Sequence, residues 1–311
     1  MDSLQELFVS FREEPTPEKA SLLDERGFLA APGEDLVSYQ KRVLAQEKRI
    51  DDFKKALDQE GVLEPYCGLI VSKDGLIDPA VLREVAPVTE NAYGFSIDWV
   101  PGFYPEKGLG LLWGGCSIDG YEEVPPLFII RKSFRKKKRF FIYSREELTA
   151  HELCHVARNP INDRSYEEHF AYAVSKSAFR RYTGNCFKTE KDALFFLLPV
   201  FLMLMFRIAQ AGGYLLQLPS WPVWVFIALW PSWLLWSEYR SRRVYSGAED
   251  ALKKFTDRPG AVLFRCTGEE IRTLGGLAAD PEKVRTFLKE KENSDLRWQI
   301  LFRRFMKGVN V

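Results

Sequence analysis

All three histidines of this 311-residue chain, His151, His155 and His169, fall between positions 151 and 169, and two stand in His151-Glu152-Leu153-Cys154-His155. On an α-helix of about 100° and 1.5 Å per residue, positions four apart lie about 40° and one turn apart. Both imidazoles can therefore hold one metal ion from a single face, leaving Glu152 to handle protons. A catalytic zinc takes three protein ligands and keeps one position for water, whose pKa it lowers toward about 7. The third ligand is expected on an element packed beside the first helix. Ser165-Tyr166-Glu167-Glu168-His169-Phe170-Ala171-Tyr172 offers Glu167, Glu168 and His169, with Glu168 at position 168 against 155 for the second histidine. Cys154 points to the other side of the helix and reads as a small buried hydrophobe.

These residues need helices to carry them. Ser144-Arg145-Glu146-Glu147 has the Ser at N-cap and Glu at N3 of a capping box, which starts the motif helix. Asn159-Pro160 ends it, because the residue before proline is pushed out of the α region. Tyr166 to Tyr182 reads as a second helix. Upstream, from Tyr66 to Tyr143, β-branched and aromatic runs cut by Gly and Pro predict strands near Leu69 to Val71, Tyr93 to Trp99, Leu109 to Trp113, Leu127 to Phe134 and Arg139 to Tyr143. The last two read as a hairpin whose basic tip is Arg135-Lys136-Lys137-Lys138. That tip is a solvated turn or, alternatively, a contact for anionic headgroups. Residues 1–62 are charged and helical in pattern, with Leu36, Tyr39, Val43, Leu44, Ile50, Phe53 and Leu57 as an apolar stripe.

Composition sets the class. A 46% hydrophobic and 14% aromatic content supports a real core, and 44 Lys and Arg against 43 Asp and Glu give a net charge of +1. No field of one sign argues for nucleic acid. Five cysteines, odd in number and without paired spacing, fit a reducing compartment rather than a disulfide scaffold. The amino terminus lacks the basic and apolar regions of a secretory signal.

Ala193 to Phe206 is an uncharged apolar run, and Trp221 to Trp236 is a second that holds five of the eight tryptophans. Together, residues 192–237 predict a transmembrane helical hairpin with a lipid bilayer as partner. Lys176, Arg180, Arg181, Lys188 and Lys191 precede it, and Arg240, Arg242 and Arg243 follow. The positive-inside rule then places both termini and the metal motif in the cytoplasm. Residues 238–311 read as a helical region, with a capping box at Thr267-Gly268-Glu269-Glu270, an N-cap at Asp280-Pro281 and an amphipathic run over Leu296 to Met306.

Residues 144–182 resemble the gluzincin class of zinc metallopeptidases, in which a glutamate on the next helix completes the site. In those enzymes a small side chain follows that glutamate by three residues, as Ala171 follows Glu168 here, and Glu168-His169-Phe170-Ala171 is similar to the aminopeptidases' Glu-Gly-Phe-Ala. The resemblance favours Glu168 over Glu167 as ligand, with His169 as the alternative of a three-histidine site; where they are not ligands, Glu167 and His169 are candidates for residues that hold the ligands from behind. It implies that Glu152 takes a proton from a zinc-bound water and later passes it to the leaving amine. Arg158, Tyr166, His169 and Tyr172 are the nearby candidates for an oxyanion partner. A second resemblance, to membrane-embedded heat-shock zinc endopeptidases, rests on the order of motif helix, hairpin and Ser241-Arg242-Arg243-Val244-Tyr245-Ser246-Gly247-Ala248-Glu249, but Tyr245 stands where their ligand glutamate would be.

The expected architecture is therefore α+β. A zincin-like metallopeptidase core over 63–190, with a small mixed or antiparallel sheet, follows the helical region 1–62 and carries the inserted hairpin. The expected function is a membrane-anchored zinc metallopeptidase; the alternative is a membrane-tethered scaffold or a degenerate, non-catalytic zincin homologue.

Overall fold

A computed structural model describes residues 3–66, 68–105, 114–120, 123–140, 143–184, 190–214, 219 and 221–306. The amino-terminal region forms three helices, α1 (Leu4–Glu13), α2 (Pro17–Glu25) and α3 (Leu36–Glu60). Ser3 and Glu6 make a capping box at the start of α1, and Thr16 caps α2 ahead of a proline suited to the first turn. The stripe read on α3 is its buried face: Tyr39, Val43, Ile50, Phe53 and Leu57 are all buried.

Strand is scarce. The antiparallel pair β1 (Val62–Tyr66) and β2 (Leu69–Ser72) leads to α4 (Pro79–Tyr93). The chain then supplies β3 (Gly102–Phe103), β4 (Gly115–Ile118) and β5 (Leu127–Ile130), which form a mixed sheet in the order β3-β5-β4. In it β5 runs parallel to β3 and antiparallel to β4. A last small pair, β6 (Arg139–Phe140) and β7 (Tyr143–Ser144), precedes the motif helix.

Several expectations are corrected here. The expected α+β class gives way to a mostly helical molecule with few, short strands. The segment Tyr93 to Trp99 is not a strand: Tyr93 ends α4, and Gly94 turns the chain in the left-handed region at φ 73°. Phe95, Ile97 and Trp99 then alternate into the core as an extended strand would, but no ladder forms around them, and Ser96 makes a single bond to the Glu25 carbonyl. The hairpin expected between Leu127–Phe134 and Arg139–Tyr143 is absent. β5 pairs with β3 and β4, and the basic run begins in a 3-10 turn over Lys132–Arg135. The strand expected at Leu109 to Trp113 lies outside the described residues.

The motif helix is α5 (Arg145–Arg158); α6 (Glu167–Ala173) and α7 (Ala178–Thr183) follow. One continuous helix over Tyr166 to Tyr182 is thus replaced by two, because Ser177 caps a new helix through the Arg180 amide. The boundary at Asn159-Pro160 holds for a different reason than expected. Asn159 stays in the α region and the chain tightens into a 3-10 turn over Asn159–Ile161, stopping at Asn162 in the left-handed region at φ 51°.

The two apolar runs form long helices, α8 (Glu190–Ala211) and α9 (Trp221–Leu252), packed on each other. The Trp230 indole donates to the Asp192 carbonyl at 3.2 Å and lies against Phe195. The transmembrane hairpin expected over residues 192–237 is overturned: among the described residues, no helix is long and apolar enough to cross a membrane. The reason is length. The fourteen residues from Ala193 to Phe206 rise only about 21 Å at 1.5 Å each, against a hydrocarbon core of about 30 Å. Arg207 ends that run, and Pro222, Pro231 and Ser232 interrupt the second. Many large apolar side chains on the pair are exposed, including Leu194, Phe201, Leu229 and Trp233.

Beyond the pair, α9 continues as a packing helix against α11 (Gly268–Leu277), which follows α10 (Pro259–Leu263) and precedes α12 (Pro281–Lys291) and α13 (Leu296–Phe305). The capping box at Thr267 and Glu270 and the Asp280 cap are present as read. Buried residues of α1–α6 and α9–α13 join in one contiguous apolar cluster. The motif helix sits in its middle, with Ala150, Leu153, Cys154 and Ala157 facing inward.

Candidate metal centre

The His-Glu-x-x-His spacing on α5 turns both imidazoles toward α6. The two Nε2 atoms stand 3.2 Å apart. Glu168 meets them from α6, with Oε2 3.7 Å from His151 Nε2 and Oε1 3.6 Å from His155 Nε2. His151, His155 and Glu168 thus form a group within metal-binding distance. Atoms bound to a tetrahedral zinc at about 2.0–2.1 Å stand about 3.3–3.4 Å apart by geometry, so these separations suit one ion with little adjustment. The helices approach closely enough because Ala171, three residues after Glu168, is small and buried against the cluster.

Each histidine is also held from behind. The Ala171 backbone accepts a hydrogen bond from the His151 ring. His155 Nδ1 lies 3.2 Å from Glu167 Oε1, and the other oxygen of Glu167 accepts from Arg158 Nε at 2.9 Å. With these partners behind them, both Nε2 atoms are turned toward Glu168. The two rings differ electrostatically. Burial, then the neighbouring His155 and Arg180 charges, pushes His151 down to about 3. Burial also opposes charge on His155, but the Glu167, Glu168 and Glu152 carboxylates outweigh it and push this ring up to about 9.

Glu152 is buried beneath the histidines, and burial drives its carboxyl up to about 7 against the pull of His155 and two hydrogen bonds from Ser117. Ser117 lies on β4, so this strand runs along the site. Gly115 explains the close approach: a Cβ there would stand 2.7 Å from the Ile129 carbonyl and 3.4 Å from Glu152 Oε1. The site opens as a cleft of about 420 Å³, with Gly115, Cys116 and Ser117 on one wall and the ligand residues at its base. Asp119, Asn159, Asp163 and Arg164 line its polar end.

The other candidates take different places. Glu167 lies on the Nδ1 side of His155, and the group within metal-binding distance contains Glu168 rather than Glu167. His169 is buried and stacks on Tyr245 at 4.2 Å, away from the three-residue group. Tyr245, standing where a ligand glutamate occurs in the heat-shock peptidases, packs among Tyr166, His169 and Phe170. Tyr166 belongs to that same aromatic cluster. Arg158 is buried and committed to Glu167, while Tyr172 rests edge-on against His151 at 4.6 Å. Cys154 is buried and burial holds its thiol well above the ordinary range, as suits a core residue. Ser117 and Gly115 were not singled out from the sequence; the glycine pair Gly114-Gly115 was their only signal.

No protein-family model, no curated protein and no solved structure matches the chain.

Proposed function

We propose that this chain is a zinc-dependent hydrolase of peptide bonds, with His151, His155 and Glu168 as metal ligands and Glu152 as the proton-transfer group. The observation that carries the reading is the placement of Glu152. It is a buried carboxyl raised to about 7, next to three convergent ligand residues and under an open cleft. A structural metal site has no use for such a base. Zinc held there supplies a Lewis acid that acidifies water and polarises a carbonyl.

The rest falls to the protein. Glu152 accepts a proton at its carboxylate when water attacks and returns it to the departing amine, acting first as general base and then as general acid. Ser117 holds that carboxylate in place from β4. A peptide is favoured as substrate because β4 stands at the outer edge of the order β3-β5-β4 and borders the cleft. An extended chain can add to such an edge through its main chain while its side chains find pockets.

The test uses the purified full-length chain. One zinc per chain by elemental analysis, with cleavage of a mixed peptide library read by mass spectrometry, is the expected result. Glu152→Gln should retain zinc and lose about 10²- to 10⁴-fold in turnover, the usual worth of a general base. Sub-stoichiometric zinc in the parent, or unchanged turnover in the variant, overturns the reading.

A further inference from the structure

We propose that Glu167 and Arg158 are positioning residues that tie the metal centre to the main chain of the carboxy-terminal region. The inference rests on the reading of His151, His155 and Glu168 as ligands. It concerns how far the centre extends: from His155 through Glu167 and Arg158 to Phe264, a residue that follows the α8–α9 pair and lies more than 100 positions along the chain.

The links are consecutive. His155 turns Nε2 to the ligand group and Nδ1 to Glu167 Oε1 at 3.2 Å. Glu167 presents its second oxygen to Arg158 Nε at 2.9 Å. Arg158, only 1% exposed, donates through Nη1 to the Phe264 carbonyl. Its guanidinium also lies 4.4 Å over the Phe170 ring and 5.4 Å over the Phe264 ring. Phe264 cannot move to follow it. Phe264 is fully buried just past α10 and stacks on Tyr93 at 4.2 Å and on Phe95 at 5.2 Å.

The geometry assigns each member one task. A guanidinium is a planar fork that can serve a carboxylate and a carbonyl together, which an ammonium cannot do from one position. Arg158 therefore sets where the Glu167 carboxylate stands. Glu167 in turn fixes the His155 tautomer with hydrogen on Nδ1, presents the Nε2 lone pair to the metal and makes the ring a better donor. The alternative for a buried Arg–Glu pair is simple packing, which would stabilise the fold and leave metal affinity alone.

Zinc titration of the full-length chain against a competing chelator separates these roles, with thermal melting of the metal-free protein as a second readout. Glu167→Gln should bind zinc about 10- to 100-fold more weakly, the range for loss of an outer-shell partner, and should also lower the metal-free melting midpoint because it leaves the buried Arg158 without its counter-charge; a packing role alone would lower the midpoint and leave the affinity of the folded protein unchanged. Arg158→Lys should also weaken binding. Because the two act in series, the double variant should be within about threefold of Glu167→Gln alone rather than showing the product of both losses. Unchanged affinity in Glu167→Gln, or losses that multiply, overturns the relay. Zinc that fails to bind the parent chain removes the ligand reading itself, an outcome distinct from a parent that binds and variants that bind equally well.

Discussion

Glu167, Glu168 and His169 are neighbours in the chain, and a helix turns each about 100° from the last. That rotation separates three roles. Glu168 faces both Nε2 atoms, Glu167 reaches round to Nδ1 of His155 and Arg158, and His169 turns to Tyr245. The small residue at Ala171 pointed to Glu168 from sequence, since it marks the helix face that meets α5. The sequence left Glu167 open as a candidate partner behind the ligands; what it did not show is the link to Arg158, which reads as an ordinary cation at the end of a helix. The division of labour has a direct consequence. Glu168→Gln should lose zinc affinity by at least about 100-fold, since a neutral amide replaces a charged first ligand among hard and borderline donors. His169→Phe should keep zinc and alter only the packing with Tyr245. Chelator competition on the two variants checks this; tight binding in Glu168→Gln, or zinc loss in His169→Phe, would show that the ligand set is wrong.

At the level of elements, local rules succeeded where the local pattern was also the tertiary one. The caps of α11 and α12 formed as read: Glu270 keeps the Thr267 amide even while it receives Arg297 and Trp298, and Asp280 caps its own helix through the Lys283 amide. Ser144 and Glu147 carried the same signature at α5, yet Ser144 makes no side-chain cap bond. Glu147 is taken instead by Arg180 at 2.8 Å, by the Ser175 hydroxyl at 3.2 Å and by the Lys176 amide at 3.0 Å. These three bonds occupy the Glu147 carboxylate and tie the start of the motif helix to the segment after α6. The strand pattern failed for a related reason: alternation in Phe95, Ile97 and Trp99 reports burial, and burial alone does not supply a partner strand. β4 is the strand that meets Glu152, through Ser117 and the close approach at Gly115. Gly115→Val would drive a side chain into the Ile129 carbonyl and crowd Glu152. Its expected cost is about 1–3 kcal/mol of stability from overpacking, together with a loss of about 10²-fold in kcat from displacement of the base. Melting and steady-state kinetics measure the two separately, and a variant with normal kcat would show that β4 does not set the position of Glu152.

Across the whole molecule, the two ends of the chain close on each other through charges that a net of +1 conceals. Asp24 on α2 accepts from Arg265, 2.8 Å away, and from Arg304 on α13, with Asp24 and Arg265 buried and Arg304 half-buried. Glu270 on α11 receives Arg297 through both guanidinium nitrogens at 2.8 Å and the Trp298 indole at 2.9 Å. The Asp24 contacts join the region after the α8–α9 pair to the helices that begin the chain, while the Glu270 contacts tie α11 to α13 within that region. They also set a pH limit. Burial opposes charge on Glu270, but Arg297, the Thr267 amide and Trp298 outweigh it and bring the carboxyl down to about 2. A folded pKa below the unfolded one, about 4.3–4.5, means the contribution to stability is fully present above that unfolded value and is lost as pH falls toward about 2. A difference of about 2 units corresponds to about 3 kcal/mol. Urea midpoints measured between pH 7 and pH 3 should therefore fall steeply below about pH 4.5 in the parent. Glu270→Gln should begin about 3–5 kcal/mol less stable, because it leaves Arg297 buried without its counter-charge, and should show a shallower fall over the same interval. Parallel pH profiles in the two proteins would mean that the acid sensitivity arises at other carboxylates, with Glu270 titrating alike in the folded and unfolded chain.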